Sequence, residues 1–426
     1  MSTTASAGRP DRFGNVLAVG LPYARGWILD SGQAEHLKLR RARAHMREWV
    51  ERDGPGGLFN LSGLERGMPL DTSLVYDDEV SPALFEHDLS KLALDHLGGR
   101  ADKHDTLLLN RQSAALFAAM MVLVDRGETV VGLSPSYTHP AVTRPVSLLG
   151  GDFVDASGLE ELERVLSTKE VSLVVLTRLA VSYDLLSVAD IMRATELARR
   201  LGVPILVDDA GGARVGPAVF HQPRLLELDI DVGSTGLDKY GTIGPRLGLL
   251  GGRSDLVGEI RNRAFEYGLE ARPMLYPAVV RSLSQYREER VRDLAACTAT
   301  LAVALGETLG DALQSTPVSV KLTAEELLAM AMERSGASTA SIVPYEATAA
   351  AAMLLLRDYG VISVHFAGLP PGTSDFLFKF MTPETLDRFG GPQKLARAID
   401  SCIDQLSELI GDPDALRALL LDSSGR

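Results

Sequence analysis

DVGSTGLDKYGTIGPRLGLLGG, residues 231–252, is the stretch that decides the fold. Two short apolar runs, DVGSTG (231–236) and RLGLLGG (246–252), flank a glycine- and proline-rich loop with one lysine, Lys239, near its start. Runs of four to eight residues bounded by turn residues are strand signals. A lysine just past a strand end forms an imine with an aldehyde when its surroundings lower its pKa. Ser234 and Thr235 before it, and the loop glycines after it, offer hydroxyl and backbone N–H donors for an anion. Taken alone, the segment reads first as a surface lysine in a glycine-rich turn.

The pattern continues outward. Upstream lie TLLLN (106–110), TVVGL (129–133), VSLVVLT (171–177) and PILVDDA (204–210), separated by helical stretches such as QSAALFAAMMVLVDRG and SVADIMRATELARRLG. Near-continuous apolar strands alternating with helices predict a mostly parallel α/β sheet covered on both faces, with its sites at the C-terminal strand ends. Downstream of about residue 283 long helices take over. Two further strands are expected at VISVHFAG (361–368) and DFLFKFM (375–381), which makes a smaller α+β domain. Residues 31–53 predict a surface helix and 1–14 a short frayed tail. The expected division is 1–75 as a helical segment and connector, 76–285 as the large domain, and 286–426 as the small one.

Three more strand ends carry chemistry. PILVDDAGG ends in consecutive acids, Asp208 and Asp209, whose side chains must point to opposite faces of a strand. One then faces a site; both are also ordinary turn or capping residues. In LLLNRQSAALFAAMM a turn of Asn110, Arg111, Gln112 and Ser113 opens an all-apolar helix. That helix must be buried, and its N-terminus is an anion site unless Ser113 only caps it. SPSYTHPAV places Tyr137 and His139 after a strand, where either ring could lie over a planar ligand.

Composition narrows the classes. With 43 basic and 56 acidic residues the net charge is −13, which disfavours a nucleic-acid partner. The two cysteines, Cys297 and Cys402, are far apart, so buried thiols are expected rather than a disulfide or metal site. No apolar run reaches membrane-spanning length and no apolar signal core opens the chain, so a cytoplasmic location without membrane contact is expected.

Together these segments resemble the aspartate-aminotransferase-like, fold type I superfamily of pyridoxal 5'-phosphate (PLP) enzymes. VDDAGGARVGPAVF (207–220), DKYGTIGPRLGLL (238–250) and SGLERGMPL (62–70) are most similar to the selenocysteine synthase, or L-seryl-tRNA(Sec) selenium transferase, branch. The resemblance implies a seven-stranded-type sheet and a PLP cofactor held as a Schiff base on Lys239. Asp208 would pair with the pyridine nitrogen. Asn110, Arg111, Gln112 and Ser113 would bind phosphate, helped by Ser234 or Thr235. His139, or in its stead Tyr137, would stack on the ring. Arg246 joins the cofactor set, and Arg272 would reach a neighbouring subunit's phosphate in a homodimer or higher symmetric oligomer. Thr177 and Lys379 are the substrate-binding candidates, Lys379 standing near the place of a familiar carboxylate-clamping arginine. The chain departs from the superfamily in two more places. LTRLAVSYD replaces the NP[TS]G turn, and Asp238 precedes the lysine where cysteine desulfurases have His.

The implied activity is elimination or replacement at the β or γ carbon of a small amino-acid substrate, with a second small nucleophile or acceptor where replacement occurs. Lys239 serves as the α-proton base. The alternatives are an aminotransferase using a 2-oxo acid, a selenocysteine synthase, and a silent PLP-fold binding protein.

Overall fold

The computed structural model describes residues 10–18, 20–68, 71–368 and 371–421; the greater part of the expected N-terminal tail, and Pro69 and Leu70 of SGLERGMPL, lie outside them. The chain forms two compact units, one of Glu65–Arg292 and one of Met1–Leu64 with Asp293–Arg426. The N-terminal segment is therefore not a separate unit.

The Glu65–Arg292 unit is built on a seven-stranded sheet. Its strands are β1 (His104–Leu109), β2 (Thr129–Leu133), β3 (Asp152–Ala156), β4 (Val171–Thr177), β5 (Ile205–Asp208), β6 (Val232–Gly236) and β7 (Gly248–Arg253). The order is β1-β7-β6-β5-β4-β2-β3, and only β7 runs against its neighbours. β2 and β4 span the residues their apolar runs predicted, while β5 and β6 are shorter and end at the loops that carry Asp209 and Lys239. β3, DFVDA, gave no apolar run because it is an edge strand with exposed or half-exposed residues at four of its five positions.

Side chains alternate between two cores. Val131, Val174, Leu176, Ile205 and Val207 pack in one. Val130, Leu173, Val175 and Leu206 pack in the other, against Leu116 and Met120 of helix α1 (Gln112–Leu123). Both faces are thus covered, which is why these strands read as continuous Val/Leu runs. Truncating one such residue, as in Leu176→Ala, would cost about 2–5 kcal/mol through lost transfer energy and the cavity left behind. The alternation also settles the strand ends. Thr177 and Asp208 continue the α1 face, and Arg178 and Asp209 the opposite one.

In the other unit β8 (Leu313–Thr316), β9 (Ser319–Leu322) and β10 (Phe376–Lys379) form an antiparallel sheet. The Ala-rich helix Pro344–Tyr359 is buried along nearly its whole length. The N-terminal segment is tied to it. Glu346 accepts the backbone N–H groups of Ile28 (2.7 Å) and Leu29 (2.8 Å), and Trp49 Nε1 donates to Leu356 O at 2.9 Å. Lys38 Nζ donates to Tyr345 Oη at 2.8 Å and pairs with Glu35 at 2.7 Å, all three side chains being buried.

The expected strand 361–368 is only Val361–Ile362, paired with Phe59–Asn60. The chain then turns into a short 3-10 helix, Val364–Phe366, because His365 faces inward. Its Nε2 donates to Asp375 O (2.8 Å), and its Nδ1 lies 3.0 Å from Ser363 Oγ. Cys297 and Cys402 are buried free thiols. Among the described residues no helix is long and apolar enough to cross a membrane.

Candidate active site

The site lies within the Glu65–Arg292 unit, at the C-terminal ends of β2, β4, β5 and β6. The consecutive acids divide as strand geometry requires. Asp208 meets the start of α1, where Gln112 Nε2 lies 3.1 Å from its Oδ1, 2.9 Å from Ser234 O and 2.9 Å from Ser234 Oγ. Asp209, fully buried, takes Arg178 Nε on Oδ1 at 3.0 Å, and Arg178 Nη2 stands 3.0 Å from Oδ2 as a charge contact. Arg178 also donates to Pro223 O (2.7 Å) and Gly212 O (3.0 Å). Burial pushes the Asp209 carboxyl up, and the Arg178 charge opposes that push. In place of an NP[TS]G turn, LTRLAVSYD therefore supplies a buried cation.

Lys239 is half-buried. Burial pulls its amine pKa down, and the negative charges of Asp238 and Asp208 only partly offset the pull. Asp208 and Lys239 thus lie within electrostatic reach, not on opposite faces of the molecule. The lysine loop is fixed from both sides. Buried Arg214, on α3 (Gly212–Phe220), donates Nη1 to Gly236 O at 2.7 Å and Lys239 O at 2.9 Å. Glu65 accepts Gly241 N–H at 2.9 Å and Arg290 Nη2 at 3.2 Å. Thr242 Oγ1 donates to Leu237 O at 2.9 Å.

His139 completes the group as N-cap of α2 (Pro140–Leu149), its Nδ1 accepting Ala141 N–H at 3.0 Å. In the neutral ring Nε2 therefore carries the proton. Burial lowers the His139 pKa, with Asp208 opposing and Lys239 and Arg144 reinforcing the shift. Its loop is pinned to the edge strand by Thr138, which gives Asp155 both its N–H (2.9 Å) and its Oγ1–H (2.6 Å). Tyr137 is half-buried in the same loop.

A cationic group surrounds Asp238. Arg66 Nε donates to its Oδ2 at 2.6 Å and Arg246 Nε is 3.9 Å away. Burial, with Arg66 and Arg111 nearby, brings Arg246 down to about 10. Arg66 was not a sequence candidate, although the SGLERGMPL stretch that carried part of the resemblance contains it. Arg178, Arg214 and the tyrosines Tyr183 and Tyr240 were missed too. For Tyr240 the signal was Gly211, whose missing Cβ leaves room for the tyrosine ring; a Cβ there would sit 2.5 Å from it.

The structure places the remaining candidates as follows. Ser234 and Thr235 are fully buried, with Ser234 Oγ taken by Gln112 and Thr235 Oγ1 donating to Ala210 O, so neither presents a hydroxyl to a phosphate. Both faces of β6 are covered, and that is why. The Gln112 amide N–H groups serve Asp208 and Ser234 rather than an anion. Asn110 is exposed and donates to Gly268 O at 3.2 Å. Arg272 is exposed and paired with Asp78 of its own chain. Lys379 is buried on β10 in the other unit, against Gly63. Thr177 is buried beside Asp208 in register.

The donor set fits a pyridine aldehyde phosphate. Two buried polar atoms near Asp208, Gln112 Oε1 and Thr177 Oγ1, have no protein hydrogen-bond partner. A carboxylate, an amine with lowered pKa and an imidazole converge, while Arg111 and Ser113 stand exposed at the α1 N-terminus. Among the described residues no cluster of His, Cys, Asp or Glu could hold a metal.

Sheet, lysine loop and acid define a protein with the fold of the type I PLP-dependent enzymes. The solved N-succinyldiaminopimelate aminotransferase of Mycobacterium tuberculosis superposes with a TM-score of 0.53 at 16% identity, covering 84% of this chain and 99% of that one. The UPF0425 pyridoxal phosphate-dependent protein of Methanosphaera stadtmanae is 30% identical over 344 residues, 80% of this chain and 87% of that protein. Its counterpart in Methanothermobacter thermautotrophicus is 29% identical over 381 residues, 88% of this chain and 94% of that protein. The chain belongs to the UPF0425 pyridoxal phosphate-dependent protein family. No protein-family model matches it.

Proposed function

We propose that the protein is an enzyme that holds PLP covalently through Lys239 and eliminates or replaces a group at the β or γ carbon of a small amino acid. The observation that carries the proposal is the lowered pKa of Lys239 beside Asp208, an acid held in place by Gln112. Bound there, the cofactor supplies an electron-poor ring that stabilises negative charge on the carbon bearing the substrate's amino group.

The chain's residues do the rest. Asp208, oriented by Gln112, would pair with the ring nitrogen and favour its protonated form. His139 would lie against the ring. Arg111 and Ser113, with Arg246 nearby, would hold the phosphate at the α1 N-terminus. Lys239 Nζ moves the proton at the substrate α carbon, and its lowered pKa brings it closer to the operating range of a general base. Elimination is favoured over transamination by the loop after β4, where Arg178 is buried against Asp209 and a tyrosine stands in place of the NP[TS]G turn. We further propose a homodimer or higher symmetric oligomer and a cytoplasmic location.

The test is spectroscopic and chemical. Purified protein supplemented with PLP should show a visible imine band that Lys239→Ala lacks; a band that survives removes Lys239 from its role. Incubation with amino acids and their ester or sulfonium derivatives should release a 2-oxo acid and ammonia. Conversion of the cofactor to its amine form, with no departing group released, would replace the proposal with transamination.

A further inference from the structure

We infer that Tyr183, held by Tyr240, is the acid that protonates the departing group in the proposed elimination, so that the substrate class is one whose leaving group is basic. The inference rests on the function proposed above.

Among the described non-glycine residues, five have left-handed φ values, and two of them are tyrosines whose hydroxyls meet: Tyr183 (φ 68°) and Tyr240 (φ 39°), Oη to Oη 3.3 Å. A bulky side chain in that region is strained, and such strain persists where surrounding structure enforces it, often at a working site. Here the enforcement is visible. Tyr240 directly follows Lys239 and its ring lies over the Gly211 backbone. Tyr183 sits in the tight turn after β4, its N–H donating to Ala180 O at 3.0 Å, with Leu179 and Leu185 bridged on either side. The two loops leave β4 and β6, so they flank the strand that carries Asp208. Tyr183 also lies within electrostatic reach of Tyr137 in the loop after β2.

Burial pushes both phenols up, Tyr183 well above its ordinary value and further through Tyr240, so each stays protonated and Tyr183 yields its proton only to a strongly basic atom. Lys239 Nζ takes the α proton, and a second donor on the Tyr183 side lets the leaving atom be protonated as its bond breaks. For a β leaving group X the step balances as follows. The electron pair left on Cα forms the Cα–Cβ double bond. The Cβ–X bond breaks with its pair on X, and the Tyr183 Oη proton joins X to give HX. For a γ leaving group a second proton passes from Cβ to Lys239 Nζ, and its pair forms the Cβ–Cγ double bond as the Cγ–X bond breaks with its pair on X. Tyr240 O–H, a positioning partner, donates to the resulting phenolate until solvent reprotonates it.

The test varies the need for that proton. S-methyl-L-cysteine and L-methionine expel a thiolate, which must be protonated. β-Chloro-L-alanine expels chloride, and the S-methyl sulfonium of L-methionine expels a neutral sulfide; neither needs a proton. Release of 2-oxo acid is measured for wild type, Tyr183→Phe and Tyr240→Phe, with exchange of the α proton in deuterated water as an independent readout.

Tyr183→Phe should slow release from the thiolate substrates by about 100-fold, the low end of general acid catalysis. It should change chloride or sulfide expulsion and α-proton exchange by less than about threefold. Tyr240→Phe should fall in the same direction by less. Equal losses with both kinds of leaving group, or no loss with either, overturn the assignment of Tyr183 and leave elimination standing. A wild-type enzyme that exchanges the α proton yet releases no 2-oxo acid from any of the four removes the elimination proposal, and this inference with it.

Discussion

Replacing Arg178 by methionine breaks the ion pair beneath the site while nearly conserving side-chain volume. Both partners are fully buried, so the Asp209 carboxylate would be left without its cation in the interior. A charge stranded in this way takes up a proton. At pH 7, protonating a carboxyl with an ordinary pKa of 3.8 costs about 1.36 × 3.2, or about 4.4 kcal/mol, which caps this part of the loss. The cap agrees with the ~3–5 kcal/mol expected for breaking one side of a buried pair. The Pro223 and Gly212 carbonyls also lose their donor, a smaller contribution independent of pH. In the variant the folded state holds a proton on Asp209 that the unfolded state lacks above pH 3.8, so the deficit shrinks as pH falls. At pH 5 the carboxyl part is about 1.6 kcal/mol by the same arithmetic. Urea unfolding followed by circular dichroism at the two pH values measures both numbers. Adding Asp209→Leu should recover most of the pH 7 loss, because two apolar groups then replace the pair. A pH 7 loss under about 1 kcal/mol, or one that does not change with pH, would refute the role of the pair.

Two further outcomes follow from other places in the fold. Burial lowers His365 from 6.5 to about 4, so the unfolded chain takes up a proton between those values that the folded chain does not. Stability should fall by up to about 3.4 kcal/mol as pH drops through that window. His365→Gln should flatten this part of the urea-midpoint profile, and parallel profiles for the two proteins would contradict the assignment. A Cβ on Gly248 would sit 2.6 Å from Arg111 O and 2.9 Å from Gln112 N. Gly248→Ala should therefore displace the start of α1 and weaken PLP binding about tenfold in a cofactor titration while the far-UV spectrum is kept; unchanged affinity would show that the α1 N-terminus takes no part in holding phosphate.

Most of the sheet was legible because its strands are covered on both faces, and burial on both sides writes itself as Val/Leu runs. The two-faced role of Asp208 and Asp209 was legible for the same geometric reason, since alternation depends on nothing beyond the strand itself. What could not be read were pairings set by distant chain. Arg178 looks like any arginine after a strand until the turn 31 residues later brings Asp209 beneath it. Ser234 and Thr235 resemble phosphate ligands in a loop because nothing local announces that α1 closes over one side of β6. Edge strand β3 hid behind its half-exposed, alternating residues, yet its Asp155 fixes the His139 loop. Arg66 reaches Asp238 across 172 positions of sequence, a separation no local pattern reports.

The pairing of strain with burial explains how one sheet edge can present opposite chemistries a few residues apart. Asp208 and Asp209 are chemically identical, but Asp209 is matched by a guanidinium inside the protein, whereas Asp208 is matched only by an amide and by Lys239. Had both acids lacked cations, their mutual repulsion would have raised one pKa and cost the site a dependable negative charge. Sinking Arg178 under Asp209 sets against that repulsion a cation whose effect on Asp209 is the larger of the two. Beyond Arg178 the chain doubles back on itself, Leu179 bridging Leu185, and the turn between them places Tyr183 in a conformation tyrosine seldom adopts. The buried cation and the strained phenol thus lie in one segment, LTRLAVSYD, that replaces the superfamily's usual turn.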